Sequence, residues 1–249
     1  MTIGAFITAR LKSERLPRKA LKPLGGRPMI AHLVDRLRRV EGVDRIVLCT
    51  SWLPEDEPLA RFAQAEGIGV YRGEPVDVLA RLAAAARSFG VEQVLSCTAD
   101  NPLTDPRAMG DLLRFHLREG LDYSRSKGLP LGAFGYAVSA AALQRVCAIK
   151  QGTDTEIWGG YFTAPEAGFR WGTLAFDEVG RNWPELRVTV DTPEDFRFVE
   201  RVFESLHRPG EVFGIEEVVA LCRREPHRLR VNRGIRQKIG PPPAWRGTA

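Results

Sequence analysis

The apolar positions of this chain fall into short, nearly continuous runs separated by helical repeats. Ile3–Thr8 (IGAFIT), Arg45–Thr50 (RIVLCT) and Gln93–Thr98 (QVLSCT) are such runs, the pattern of strands buried on both faces of a parallel sheet. Residues 68–71 predict a further short strand. Behind Pro28, which suits a first helical turn, Met29, Ile30, Leu33, Val34, Leu37 and Val40 recur at helical spacing. Helices are also predicted around 55–66, over Val76–Phe89 and over 106–119. Strand–helix alternation of this kind builds βαβ units around a mostly parallel sheet. The second half is less regular. It predicts a strand over 132–138, a helix over 140–149, an aromatic loop over 152–171, a strand over 186–190, and helices over 193–207 and 215–224. Residues 9–27 have no apolar period and end in Gly25-Gly26, which reads as a long loop. With no internal repeat and no linker, one domain is expected over 1–240. The proline-rich end, 241–249, is expected to be a flexible tail.

Composition narrows the class. A chain of 249 residues with 44% hydrophobic and 27% charged residues is ordinary for a globular α/β protein. Its net charge of +5 favours anionic partners, although many soluble enzymes are as basic. Cys49, Cys97, Cys147 and Cys222 lie far apart and include no C-x-x-C pair, which argues against a zinc or redox centre. Cys49 and Cys97, inside strand-like runs, read as buried thiols of a reducing compartment. The first apolar run is too short for a signal sequence or a membrane span, so a cytoplasmic location is expected. The four histidines show no catalytic or metal-binding spacing, and His116, beside Phe115 in a predicted helix, is expected to be packed.

Parallel sheets bind ligands at the carboxyl ends of their strands, so the chemistry belongs just after residues 8, 50, 71 and 98. Two features stand there. Arg10, Lys12, Arg15, Arg18 and Lys19 crowd the loop after the first strand, where arginine forks and lysine point charges match a polyphosphate. The same cluster also reads as a solvated charged loop. Neither G-x-G-x-x-G nor G-x-x-x-x-G-K-[ST] is present, so a phosphate site here leans on side chains. Asp100 follows the run ending at Ala99, and Asp191 follows Arg187-Val188-Thr189-Val190 just before the helix start Thr192-Pro193-Glu194-Asp195. Together the two carboxylates can hold one Mg²⁺; singly, each also reads as a cap of a turn or helix.

These motifs resemble the spore-coat polysaccharide biosynthesis cytidylyltransferases, relatives of the CMP-Kdo and CMP-sialic acid synthetases. Ile7-Thr8-Ala9-Arg10-Leu11-Lys12-Ser13-Glu14-Arg15-Leu16-Pro17-Arg18-Lys19-Ala20-Leu21 is similar to the family's A-R-x-x-S-x-R-L-P-x-K-x-L loop. Gly73 with Asp77-Val78-Leu79 and Arg81, Asp100-Asn101-Pro102-Leu103 with Asp105-Pro106, Arg187 to Asp195, and Asn232 resemble later family segments in order. The resemblance spans about 3–235. It implies an α/β, three-layer Rossmann-like nucleotidyltransferase fold of the GT-A kind with a mostly parallel central sheet. Residues 1–125 would form the nucleotide-binding half and 126–240 the acceptor and dimer half. It also implies roles. Ala9, Arg10, Ser13, Arg15, Lys19, Asp77 and Arg81 would bind the nucleotide, with Arg10 and Lys19 catalytic, and Asp100 and Asp191 would hold Mg²⁺.

The acceptor half departs from the family. Ser96 stands where an Arg is common, Pro130–Tyr136 replaces an acidic segment, and Thr153–Ile157 replaces R-E-H-V-T. Gly132, Tyr136, Glu156 and Trp158 are the acceptor candidates there. The aromatics around Trp158–Phe162, with Trp171 and Trp183, suit an acceptor pocket, a core or a dimer interface. The reaction implied is nucleotidyl transfer from a nucleoside triphosphate, CTP by family resemblance, to a sugar, sugar acid or sugar phosphate for surface polysaccharide biosynthesis. A homodimer without nucleic-acid or membrane partners is expected. Two other readings stay open. One is a nucleotide-sugar-dependent glycosyltransferase, weakened because Ala99-Asp100-Asn101 stands where D-x-D is common. The other is a basic RNA-associated protein, suggested by the arginine-rich stretch from Arg223 to Lys238.

Overall fold

A computed structural model describes residues 1–229 and 231–246, with the backbone alone for Arg228 and Leu229. Its strands are β1 (Ile3–Thr8), β2 (Pro23–Leu24), β3 (Arg27–Pro28), β4 (Arg45–Ser51), β5 (Gly69–Gly73), β6 (Gln93–Thr98), β7 (Tyr123–Lys127), β8 (Tyr136–Ser139) and β9 (Trp171–Ala175). The helices are α1 (Met29–Leu37), α2 (Glu57–Ala65), α3 (Val78–Phe89), α4 (Pro106–Arg118), α5 (Ala140–Ile149), α6 (Gly160–Thr163), α7 (Pro193–Leu206), α8 (Ile215–Arg224) and α9 (Pro226–Leu229). Seven strands form one sheet in the order β5-β4-β1-β6-β8-β7-β9. β8 runs against its neighbours β6 and β7, and the other pairings are parallel. β2 and β3 form a small separate hairpin inside the long loop after β1.

Helices cover both faces, which gives the three layers. Side chains alternate across the sheet, so Ala5 and Ile7 of β1 and Leu48 of β4 meet α1, α2 and α4 on one face. Phe6, Val47 and Cys49 turn to the opposite face, against Leu79 and Leu82 of α3 and Leu143 and Val146 of α5. Each such valine, leucine, isoleucine or phenylalanine, taken fully out of water, contributes about 1.5–3 kcal/mol. A third cluster joins Phe198 and Val202 of α7 and Val218 and Val219 of α8 to Val188 and Val190. Asp105 links two helix starts: Oδ1 accepts the Ala108 N–H at the head of α4, and Oδ2 the Ile215 N–H at the head of α8. Cys49, Cys97 and Cys222 are buried free thiols. Among the described residues, no helix is long and apolar enough to cross a membrane.

The second half departs from expectation in places with identifiable causes. The predicted strand over 132–138 begins only at Tyr136. Gly132 has φ +103, and a Cβ there would sit 2.4 Å from the Thr189 nitrogen. A Cβ on Gly135 would meet the Ser96 carbonyl oxygen at 2.4 Å. For the same reason 186–190 is not a ladder strand. It makes a single bridge, Leu131 to Arg187, before the partner turns away at Gly132. β7 and β9 arise where no strand is predicted. They lie at the far edge of the sheet, and β9 has exposed residues and a glycine instead of an apolar run. Of the expected flexible tail, 247–249 lie outside the described residues. Trp245 bridges to Lys150, and its ring meets Tyr161 edge-on at 5.3 Å.

His116 is packed as expected, at 1% exposure, with Nδ1 2.8 Å from the Ser124 hydroxyl and Nε2 3.1 Å from the Gln93 amide oxygen. Burial pushes its pKa down from 6.5 to about 4. The folded protein keeps this imidazole neutral while the unfolded chain protonates it below pH 6.5, so acid favours unfolding. The stability present above pH 6.5 is therefore lost as pH falls toward 4, with a slope from this group of up to about 1.4 kcal/mol per pH unit. Urea denaturation of wild type and His116→Gln at pH 7, 6, 5 and 4 checks this; the variant is expected to show the shallower acid slope.

Candidate active site

β1 pairs with β4 and β6 in parallel, so Thr8 lies between Cys49 and Thr98 and three strands end at one rim. The chain leaving β1 does not drift into solvent. Leu11, Leu16 and Ala20 are buried, which leaves Arg10, Lys12, Ser13 and Arg15 facing outward between these anchors. Asp56, 1% exposed, accepts the Leu11 N–H at 2.6 Å and also takes the Ser51 hydroxyl. Arg18 closes the loop by donating its N–H to the Leu11 carbonyl at 3.3 Å. It does so at φ 56, a left-handed conformation, which costs a non-glycine residue roughly 1–2 kcal/mol. The next residue, Lys19, opens a short 3₁₀ turn, so the strained residue sets where the lysine points.

Lys19 reaches two carboxylates. Its Nζ lies 2.7 Å from Asp100 Oδ2, 2.8 Å from Asp191 Oδ1 and 2.8 Å from the Val190 carbonyl oxygen. Burial alone would lower the Lys19 pKa, but Asp100 and Asp191 outweigh it and hold it above the ordinary lysine value. Asp191 shows the converse. Burial pushes its carboxyl up, yet Lys19 and Arg187 hold it below the usual carboxylate range. Asp100 is oriented by the Thr98 hydroxyl, which donates to Oδ1 at 2.5 Å, and the Val190 N–H donates to its carbonyl at 2.8 Å.

Behind Asp191 stands a buried support. Arg187 donates to Asp191 Oδ2 at 2.6 Å, to Asp195 Oδ1 at 2.8 Å and to Gln237 Oε1 at 2.6 Å. Asp195 is the N3 residue of a capping box with Thr192, and Pro193 fills the first helical position, so α7 starts as the sequence predicts. Asn232 donates to both the Arg187 carbonyl and Asp195 Oδ1.

The rim is an open cleft of about 570 Å³. The loop cations Arg10, Lys12, Arg15 and Lys19 line it with Ala9 and Ser13; Asp100, Asp191, Arg81 and Glu156 line it as well. Arg18 does not. Among the described residues, Arg10 and Lys12 have no ion-pair or hydrogen-bond partner. The Arg81 side chain is almost fully buried; it donates to the Glu74 and Pro75 carbonyl oxygens, and its Nε lacks a partner. Asp100 Oδ2 and Asp191 Oδ1 converge on one point and are hard oxygen donors, so the pair fits a divalent cation that takes its other ligands from phosphate and water. Among the described residues, no group of three or more His, Cys, Asp or Glu side chains forms a metal site.

A protein-family model described as cytidylyltransferase matches residues 5–206. The chain belongs to the cytidylyltransferase family. It is 30% identical over 227 residues to the spore coat polysaccharide biosynthesis protein SpsF of Bacillus subtilis, covering 89% of this chain and 94% of that one. Its fold is similar to that of a cytidylyltransferase from Leptospira borgpetersenii (TM-score 0.84, 19% identity, 96% of this chain and 100% of the other). It is also similar to a CMP:2-keto-3-deoxy-manno-octonic acid synthetase complexed with CTP (TM-score 0.64, 19% identity, 82% and 99%).

Several expected site residues of this cytidylyltransferase lie outside the cleft. Asp77 caps α3, with Oδ1 accepting the Ala80 N–H at 3.1 Å, and it pairs with buried Lys150 and with Thr155, so its oxygens are committed to packing. Gly132 lies against the Thr189 backbone. Tyr136 and Trp158 join a core cluster: their rings are 5.3 Å apart and pack with Tyr123, and Phe162 extends the cluster from α6. That resolves the Trp158–Phe162 segment as core. Glu156 alone of the acceptor candidates lines the cleft, paired with Lys238 at 2.5 Å. Charge and spacing do not single out Asp56, Arg187 as the support of Asp191, or Arg236, Gln237 and Lys238 as a wall of the cleft. The one signal for Arg187 is that it falls i−4 from Asp191 within the Arg187–Asp195 motif.

Proposed function

We propose that this cytidylyltransferase transfers the cytidylyl group of CTP to a sugar, sugar acid or sugar phosphate and releases pyrophosphate. The observation that carries this reading is the placement of Arg10, Lys12, Ser13, Arg15 and Lys19 around one cleft with Asp100 and Asp191. Four cations and a hydroxyl match a triphosphate, and transfer of this kind depends on positioning and charge neutralisation. Arg10 and Lys12, which have no ion-pair or hydrogen-bond partner among the described residues, bind the outer phosphates. Lys19, next to the carboxylates, balances the negative charge that grows on the α-phosphate and on the leaving pyrophosphate. Asp56 holds the loop's backbone, and Arg187 keeps Asp191 ionised and aimed. Asp100 and Asp191 are the residues that would hold Mg²⁺, which when bound polarises the α-phosphate. The acceptor oxygen approaches from the wall formed by Glu156, Arg236 and Lys238.

Pyrophosphate release tests the proposal. With Mg²⁺ and a panel of sugar acids and sugar phosphates, release is expected from CTP, at least about tenfold faster than from GTP, UTP or ATP. Chelation of the metal with EDTA is expected to stop it. Consumption of a nucleotide sugar without pyrophosphate formation would instead make the protein a glycosyltransferase.

A further inference from the structure

The Lys19 ammonium has three oxygen neighbours within 2.8 Å, and two of them are the facing oxygens of Asp100 and Asp191. The remaining carboxylate oxygens are committed elsewhere. Asp100 Oδ1 takes the Thr98 hydroxyl at 2.5 Å, and Asp191 Oδ2 takes Arg187 at 2.6 Å. The point where a divalent cation would bridge the pair is therefore the point the lysine holds. A cation in direct contact with both oxygens, at about 2.0–2.1 Å for Mg²⁺, leaves no room for an ammonium hydrogen-bonded to the same atoms.

We propose that Lys19 is a placeholder cation. In the absence of nucleotide its ammonium occupies the metal seat and holds two carboxylates together that would otherwise repel. An incoming triphosphate gives that ammonium another anion, because Arg10, Lys12 and Arg15 gather the phosphates along the same wall. The lysine then swings from the seat to the phosphates as the metal enters. Metal alone binds weakly, since it must break the lysine's hydrogen bonds to both carboxylates without a triphosphate to receive the ammonium. Metal and nucleotide thus load together. The triphosphate part of this proposal rests on the nucleotidyl-transfer reading; the competition for the seat does not.

The test uses Mn²⁺ alone, titrated into nucleotide-free protein and followed by the electron paramagnetic resonance of free Mn²⁺. Lys19→Met is expected to bind Mn²⁺ at least about tenfold more tightly than wild type. Lys12→Met removes the same charge from the same cleft but not from the seat, and is expected to change affinity by less than about threefold. Unchanged affinity in Lys19→Met, or an equal gain in both variants, overturns the placeholder. A second measurement uses the wild-type protein, independent of how well Lys19→Met folds. Acylation of Lys19 by an N-hydroxysuccinimide ester, read by peptide mass spectrometry, is expected to rise when Mn²⁺ is bound, and no rise overturns the proposal. Pyrophosphate release from CTP is measured on the same preparations. Turnover without the Mn²⁺ effects removes the placeholder alone, and Mn²⁺ effects without turnover of any triphosphate remove the nucleotidyl-transfer reading alone.

Discussion

Lys19→Ala lowers the rate of pyrophosphate release by a factor on the order of 10²–10⁴, the usual loss when one focal electrostatic contact is removed from a transition state. Among the described residues, the lysine alone ion-pairs with both Asp100 and Asp191, and it comes from the loop whose other cations line the same cleft. It therefore couples the two charge systems that the reaction must bring together. The loss falls on kcat more than on KM, because Arg10, Lys12 and Arg15 still gather the outer phosphates. Lys19→Arg does not restore the rate. A bulky planar guanidinium does not replace a compact ammonium that must move from the carboxylates to the phosphates. Steady-state pyrophosphate assays on folded protein check both variants, and an alanine variant within about threefold of wild type contradicts the role.

Asp195→Ala is expected to cost the fold about 3–5 kcal/mol, the range for stripping one partner from a buried ion pair. Asp195 is fully buried and accepts five hydrogen bonds. They come from Arg187 Nε at 2.8 Å and Nη2 at 3.1 Å, the backbone N–H groups of Asp191 at 2.9 Å and Thr192 at 3.1 Å, and Asn232 Nδ2 at 2.9 Å. Alanine leaves Arg187 Nε and the Asp191 and Thr192 N–H groups without this acceptor, while Arg187 Nη2 keeps Asp191 and Asn232 keeps the Arg187 carbonyl. It also frees Arg187 to shift against Asp191, so the carboxylate at the cleft loses its aim. Differential scanning fluorimetry is expected to show a melting temperature lower by about 10 °C or more. A drop of less than about 2 °C would mean that the Arg187–Asp195 pair is not a keystone of this half of the molecule.

The first half of the fold is legible in the sequence because β1, β4 and β6 are covered on both faces, and double burial writes a strand as an unbroken apolar run. β7 and β9 are hidden for the opposite reason. They stand at the sheet's end, β9 being the edge strand, where only Tyr123 and Ser124 of β7 are buried and no residue of β9 is, Gly172 among them. Residues 186–190 look like a strand because Val188 and Val190 are buried, but burial here comes from α7 and α8, not from a ladder. Arg10, Arg15, Lys19, Asp100 and Asp191, singled out by strand ends and clustered charge, line one cleft because both signals are local, and Ser13 comes with the family loop alone. Asp77 lies behind the cleft as the cap of α3, a place that pattern does not separate from a ligand contact because both use the same residue type at a strand-to-helix turn. Arg236, Gln237 and Lys238 reach the cleft through the packing of the C-terminal segment, which no local pattern encodes.

Diffraction from crystals grown with CTP and Mn²⁺, collected at a wavelength where manganese scatters anomalously, tests the account most directly. The predicted result is an anomalous peak in contact with Asp100 and Asp191, the triphosphate against Arg10, Lys12, Ser13 and Arg15, and Lys19 moved from the carboxylates to the phosphates. A peak in another hollow, such as the one of about 300 Å³ that Asp105, Glu216 and Glu217 line together with Arg39, Arg107 and Arg181, with CTP away from the basic loop, would contradict it.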